Sequence, residues 1–243
     1  MPDKPTHRLQ STPQMRSQDF AEYMAASDRA KRSILQRCKY RSLARMVQHR
    51  EARIAIARWL REGNGDPMLL DKEADRIRHK LTDDDFDAEV NEHNATYIEA
   101  FRAVCADLNL PACEMRPADQ KMAMDMGGLE VRFAPDLLLY RTNSRNVPKS
   151  GALFLVYSKG KAAKEEEALF LSSISFGYLS GSVLEEELGE PEKGLCLSVC
   201  AYSGTKYAAP GNAKTRFNNM KAAGAMIADV WDAIQPPNKA VLA

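Results

Sequence analysis

The folding options of this chain are limited first by residues 130–162, where two apolar segments flank a polar loop. The first segment, EVRFAPDLLLY, ends at Tyr140, and the second, GALFLVYSK, spans residues 151–159. Both have the length and composition of core strands, and neither approaches the roughly 18–20 apolar residues that cross a bilayer. The loop between them carries Asn, Ser and Pro residues that favour a turn. The sequence therefore predicts two paired strands in the protein core.

The segments around this hairpin alternate between helix and strand patterns. The predicted elements in chain order are helices over 28–62, 67–81 and 83–108, a strand, a turn and a strand over 120–140, the strand over 151–159, a helix over 162–180, strands over 194–210 and a helix over 212–234. This order predicts an α/β fold. Its αβββαβ core has a small mixed sheet flanked by helices, and an N-terminal helical segment precedes it.

The charge divides the chain into a basic first third and an acidic remainder. Residues 1–80 carry 18 Lys and Arg against 10 Asp and Glu, although the whole chain has a net charge of +1. We predict a disordered tail over 1–18, a basic helical segment over 19–81, the α/β core over 83–235 and a short tail over 236–243. The basic segment has two interpretations: it binds nucleic acid, or it is a solvated helix that docks on the acidic remainder.

The five cysteines and the N-terminus narrow the function classes. The cysteines are dispersed, without a CxxC pair or a Cys/His cluster at zinc spacing, and an iron–sulfur cluster would need a close-spaced group. We expect reduced, mostly buried thiols. The N-terminus is polar and Pro-rich, without the apolar region of a secretory signal. These features predict a cytoplasmic protein without a membrane partner.

Two residues of the hairpin stand where a catalytic pair would be useful. Asp136 follows Pro135 at the start of the core part of the first strand, and Lys159 ends the second strand. Folding the hairpin about residues 145–147 brings these two ends together. An Asp after Pro is also a common turn and strand-edge device, and a Lys at a strand end commonly only reaches solvent. Both interpretations stay open from the residues alone.

The element order, Pro135–Asp136 and Tyr157–Lys159 together resemble the PD-(D/E)xK nuclease superfamily, which includes lambda-exonuclease-like and RecB-like nucleases. The resemblance implies that Asp136 is a catalytic residue and a ligand of Mg²⁺ or Mn²⁺. Lys159 would be a second catalytic residue that orients the attacking water. The superfamily has Glu or Asp two positions before this Lys, whereas this chain has Tyr157, a poor ligand for Mg²⁺. An acid relocated to a neighbouring helix is the alternative, and the candidates are Glu92, Glu99, Glu165, Glu166 and Glu167.

The chain is also similar to a set of bacterial proteins associated with mobile elements, over about residues 120–235. The shared segments are Pro135–Leu139, Gly151–Lys159, Cys196–Val199, Ala209–Pro210 and Trp231. This likeness brings no established activity. It suggests that the missing acid is typical of the set, which favours either a relocated acid or a non-catalytic role.

Four basic residues near the hairpin are candidates for nucleic-acid contacts, although the lysines also suit a solvated loop. They are Lys161, Lys164, Arg132 and Arg141. The leading hypothesis is a DNA-associated protein with a nuclease-like core, either a Mg²⁺-dependent nuclease, such as an exonuclease, or a catalytically degenerate relative. The alternative is a non-enzymatic module of a phage-related or defence system that binds a protein or nucleic acid, with the basic helix over 28–62 contacting the partner.

Overall fold

The computed structural model describes residues 4–44, 48–63, 65–118, 122–157, 161–181 and 188–243. Its helices are α1 Ser17–Ala25, α2 Asp28–Lys39, α3 Arg50–Arg61, α4 Met68–Arg78, α5 Asp85–Val104, α6 Glu165–Leu179 and α7 Ala213–Val230. Its strands are β1 His7–Leu9, β2 Gln14–Arg16, β3 Tyr40–Ser42, β4 Glu114–Pro117, β5 Met122–Asp125, β6 Glu130–Phe133, β7 Leu137–Thr142, β8 Pro148–Val156, β9 Glu190–Cys200 and β10 Lys206–Ala208. Within these ranges, none of the helices has the length and apolar character needed to cross a bilayer.

The central sheet has five strands in the order β10-β9-β8-β7-β4. β4 and β7 are antiparallel, as are β7 and β8, whereas β8 and β9 are parallel and β9 and β10 antiparallel. The parallel pair requires a crossover, and α6 provides it. The path α5–β4–β7–β8–α6–β9 follows the predicted αβββαβ order, and the predicted α/β fold class is confirmed.

Helices cover both faces of this sheet. In β8 the side chains alternate, so that Ala152 and Phe154 join one buried cluster while Leu153 and Leu155 join the other. The first cluster contains residues of α1, α2, α6 and α7, and the second contains residues of α3, α4 and α5. A sheet buried on both faces needs apolar side chains at successive positions, which explains the uninterrupted apolar run of the second hairpin strand.

The first core strand differs from the prediction. The sequence predicts a first strand over 120–126, of which residues 120–121 lie outside the described part. Residues 122–125 do form a strand, β5, but β4, Glu114–Pro117, takes the first place in the central sheet and pairs with β7. The predicted strand over 129–140 is also divided, because Ala134–Asp136 separate β6 from β7 and Pro135 has no N–H for a ladder. β5 and β6 turn at Gly127 and Gly128, both with positive φ, and form a separate three-stranded sheet with β2.

The N-terminal part of the chain is more ordered than the sequence suggested. Over the described residues of the predicted disordered tail, β1 pairs with β3 and β2 pairs in parallel with β6. The predicted C-terminal tail contributes to this order, since the carbonyl of Val241 accepts hydrogen bonds from the N–H groups of Thr6 and His7. The backbone groups of the predicted N-terminal tail are therefore hydrogen-bonded to partners that are distant in the sequence. The local composition of the tail gives no signal of this pairing.

The predicted long helix over 28–62 is two helices, α2 and α3, with β3 between them; residues 45–47 lie outside the described part. Ile34 and Leu35 of α2 enter the first buried cluster, whereas Ile56 and Trp59 of α3 enter the second. One straight helix could not bury its apolar residues on opposite sides of the same sheet. The basic segment is thus divided between the two faces of the core.

Lys39 at the end of α2 connects this helix to the end of α7. Its side chain is buried, and Nζ donates hydrogen bonds to the carbonyl oxygens of Trp231 at 2.7 Å, Asp232 at 3.0 Å and Ile234 at 3.3 Å. Carbonyl groups at a helix C-terminus have no partner inside the helix and favour a nearby cation. The contact stabilises the packing of α2 against α7.

We expect Lys39→Met to lower the free energy of unfolding by about 2 kcal/mol, because it leaves buried carbonyl groups without a charged donor. Urea denaturation measures this difference. Lys31→Met is the matched control, since Lys31 lies on the same helix and makes weaker contacts, 3.4 Å to the exposed Asp28 and 5.6 Å to the ring centroid of Tyr23. Equal urea midpoints for Lys39→Met and the wild type would contradict the role assigned to Lys39.

Candidate functional site

Asp136 lies at the point where β7 begins, and its side chain is only 6% exposed. Its N–H donates to the carbonyl of Leu153 at 2.8 Å, which extends the pairing of β7 with β8 by one residue. The N–H of Leu155 then donates to Oδ2 of Asp136 at 2.7 Å. The carboxylate therefore takes the place of a backbone carbonyl where Pro135 turns the chain away from the sheet.

Arg53 of α3 provides the other partners of this carboxylate. Its Nε lies 2.8 Å from Oδ1 of Asp136, and its Nη2 lies 3.0 Å from Oδ2. This two-point contact is the favoured geometry for a guanidinium and a carboxylate. Burial raises the pKa of Asp136, while the charge and hydrogen bonds of Arg53 act against that shift.

The described residues around Asp136 do not fit a site for Mg²⁺ or Mn²⁺ in this arrangement. Both carboxylate oxygens already accept hydrogen bonds from Arg53 or Leu155, so an ion bound there would have to displace a guanidinium. In the described ranges no three His, Cys, Asp or Glu side chains come together as a metal-binding group. Metal binding by Asp136 stays a prediction from the resemblance.

Asp136 lies in a cleft of about 840 Å³ that four cationic side chains also line. They come from separate parts of the chain: Arg16 from the end of β2, Arg50 and Arg53 from α3, and Lys164 from the residue before α6. Arg16 makes a two-point ion pair with Asp19, as Arg53 does with Asp136. Arg50 and Lys164 make no ion pair with another described residue, although the charge of Lys164 acts on Glu167 in the same cleft and opposes the rise that burial gives the pKa of this acid.

The other predicted site residues divide between the cleft and remote surfaces. Lys159 lies outside the described residues. Lys164 lines the cleft, whereas the exposed Lys161 is not among its lining residues. Arg132 lies 3.7 Å from Glu130 on the small sheet. Arg141 pairs with Glu192 at the opposite end of β7 and lines a different pocket.

Among the five candidate acids, Glu167 lines the same cleft as Asp136, and burial raises its pKa. Glu166, one position earlier, makes a two-point contact with Arg216 of α7. Glu92 and Glu99 both pair with Arg78 on the outer surface of α5. Glu165 is exposed at the start of α6 and is not a lining residue. The structure therefore brings one candidate acid, Glu167, to the cleft of Asp136.

Tyr157, which stands at the position of the expected acid, belongs to an aromatic group in the same cleft. Its ring stacks on that of Tyr97 of α5, with centroids 3.9 Å apart and an interplanar angle of 18°. The ring of His49, just before α3, meets both edge-on, at 5.0 Å from Tyr157 and 5.4 Å from Tyr97. Burial, followed by the charges of His93 and Arg53, lowers the pKa of His49 and so favours the neutral ring.

Comparison with known proteins adds no family or function to this geometry. No protein-family model matches the chain, and no curated protein is significantly similar to it.

Proposed function

We propose that this protein binds nucleic acid through the cleft beside Asp136 and that its nuclease-like core is the scaffold of this cleft. The observation that carries the proposal is the convergence of Arg16, Arg50, Arg53 and Lys164 on one concave surface, against the two acids Asp136 and Glu167. A concave surface with excess positive charge attracts phosphate groups. The Asp136–Arg53 pair lies at the motif position and serves here as a structural contact.

The four cations have different parts in this proposal. Arg16 and Arg53 are occupied by Asp19 and Asp136, so they fix the shape of the cleft more than they contact a ligand. Arg50 and Lys164 are the phosphate-binding residues, because neither makes an ion pair with another described residue that would hold its side chain away from a ligand. Contacts of this kind position a nucleic acid without reading its sequence, and we therefore expect binding with little sequence preference.

A second candidate function is metal-dependent hydrolysis of DNA, and the position of Glu167 favours it. Glu167 and Asp136 line the same cleft, and carboxylate oxygens are the ligands that Mg²⁺ prefers. This function requires a second arrangement in which Arg53 has left Asp136. The order α5–β4–β7–β8–α6–β9, with Asp136 at the start of its second strand, supports a nuclease-like scaffold under either candidate.

A combined binding and cleavage assay separates the two candidates. The wild-type protein is tested on labelled linear duplex DNA and on labelled single-stranded DNA. For each DNA we expect binding to be similar in EDTA, Mg²⁺ and Mn²⁺, and we expect the DNA to stay intact. Asp136→Asn is compared under the same conditions, since Asn keeps an acceptor for the N–H of Leu155.

Metal-dependent hydrolysis would replace simple binding as the function if two results were found together. The wild type would cleave DNA only with Mg²⁺ or Mn²⁺, and Asp136→Asn and Glu167→Gln would each abolish this cleavage without loss of DNA binding. Absence of DNA binding by the wild-type protein would contradict both candidates. That result would favour the interaction module predicted as the alternative, with a protein as its partner.

A further inference from the structure

Helix α3, which forms one wall of the cleft, continues beyond it. Arg50, Arg53, Ile54 and Ala57 of this helix line the cleft, whereas the helix itself extends to Arg61. An α-helix rises about 1.5 Å per residue, so its last residue lies about 16 Å from Arg50 along the helix axis. A ligand that is longer than the cleft and follows this wall therefore meets the second half of α3.

The exposed residues of α3 lie on one side of the helix. With about 3.6 residues per turn, Arg50, Ile54, Arg58 and Arg61 fall within an arc of about 80°. The three arginines are exposed, and Ile54 between them is 48% exposed. These four residues form the basic face of α3, which begins in the cleft with Arg50 and ends outside it with Arg61.

The positive charge of the basic face is only partly compensated. Neither Arg58 nor Arg61 makes an ion pair with another described residue. The charge of Arg58 acts on Glu73 of α4, but this carboxylate already accepts two hydrogen bonds from Arg76, at 2.8 and 2.9 Å. The exposed Glu62 follows Arg61, so that the three arginines of the face against this one acid leave a net charge of +2. The face is therefore suited to an anionic ligand.

We propose that a nucleic-acid strand bound in the cleft continues along the basic face of α3, where Arg58 and Arg61 contact its phosphate groups. One strand of duplex DNA has a phosphate about every 3.4 Å of axis, so the distance from Arg50 to Arg61 spans about five phosphates. The guanidinium group suits this contact, because it can donate two parallel hydrogen bonds to a phosphate. The inference rests on the proposed nucleic-acid function and adds to it the direction in which the strand leaves the cleft.

The double variant Arg58→Gln, Arg61→Gln tests this path. Its binding is measured over a series of salt concentrations with a labelled single-stranded DNA of about 20 nucleotides, which at about 3.4 Å per phosphate is longer than α3. We expect about tenfold weaker binding at low salt, since exposed charged contacts are individually weak. The plot of the logarithm of the association constant against that of the salt concentration should become less steep by about 1.4, the change for two lost phosphate contacts.

Two further variants separate the position of these charges from their number. Arg58→Lys, Arg61→Lys keeps both charges and should keep the wild-type slope. Arg29→Gln, Arg32→Gln is the matched control, because both arginines are exposed on α2 and make no ion pair with another described residue. Neither of them lines the cleft, and α2 packs on the other face of the central sheet. This control should bind like the wild type, and unchanged urea midpoints show that each variant is folded.

Unchanged affinity and slope in Arg58→Gln, Arg61→Gln would overturn the inference. The proposed function would stand in that case if the Arg50→Gln, Lys164→Gln variant still bound DNA more weakly than the wild type. Equal losses in the α2 and α3 variants would also overturn the inference, because the net charge of the protein would then control binding. Failure of the wild type to bind the DNA at low salt would overturn both the inference and the proposed function.

Discussion

Asp136→Ala is expected to lower the free energy of unfolding by about 3 kcal/mol in the absence of any metal or ligand, the range found when one partner of a buried ion pair is removed. The substitution leaves the guanidinium of Arg53 without its counter-ion and the N–H of Leu155 without an acceptor. Arg53 remains 35% exposed, and water can therefore replace part of what it loses. Urea denaturation followed by circular dichroism measures the change.

The matched control is the ion pair at the other end of β7, where Arg141 contacts Glu192 of β9. Glu192→Gln removes the charge that faces Arg141 in a more exposed ion pair, and such pairs contribute about 0–1 kcal/mol. A gain in stability on Asp136→Ala would contradict the account. A gain in stability is what we would expect if Asp136 were a metal ligand, because its negative charge would then have no compensating cation when the metal ion is absent.

The double substitution of Arg50 and Lys164 by Gln is expected to weaken DNA binding about 100-fold at low salt, because each lost charged contact to phosphate contributes about 1.5 kcal/mol. Both residues line the cleft and make no ion pair with another described residue, so their loss should leave the folded state almost unchanged. Fluorescence anisotropy with a labelled oligonucleotide measures the affinity, and an unchanged urea midpoint shows that the fold is intact.

Arg141 and Lys149 provide the control with the same change of charge. They lie at the far end of the β7–β8 hairpin and pair with Glu192 and Glu190. Their joint replacement by Gln should weaken binding much less than the cleft variant does. Equal losses would mean that net charge, and not the cleft, controls binding, and would restore the role that the sequence predicted for Arg141.

The parts of the fold that the sequence predicts well are those with local patterns. The apolar segments of β7, β8 and β9, and the helical pattern that predicts α5, are determined by side chains close together in the chain. β4 was not predicted, because it is short and polar and becomes a strand only through its pairing with β7. The N-terminal strands β1 and β2 were also not predicted, because they too depend on pairing with strands that are distant in the sequence.

The candidate site shows a similar division. The position of Asp136 at a strand start follows from Pro135 and the apolar segment after it. Its contact with Arg53 joins residues 83 positions apart and depends on how α3 packs over the end of β7, for which the sequence carries no local signal. Tyr97 lies inside the helix predicted over 83–108, but its stacking on Tyr157 and the lack of a partner for its hydroxyl among the described residues are visible only in three dimensions.

The salt dependence of DNA binding tests the central claim, that the cleft binds phosphate groups, most directly. The logarithm of the association constant is plotted against the logarithm of the salt concentration for the wild type and for the Arg50→Gln, Lys164→Gln variant. For single-stranded DNA, the slope should become less negative by about 1.4 when two phosphate contacts are lost. Identical slopes for the two proteins, or no binding by the wild type at low salt, would contradict the claim.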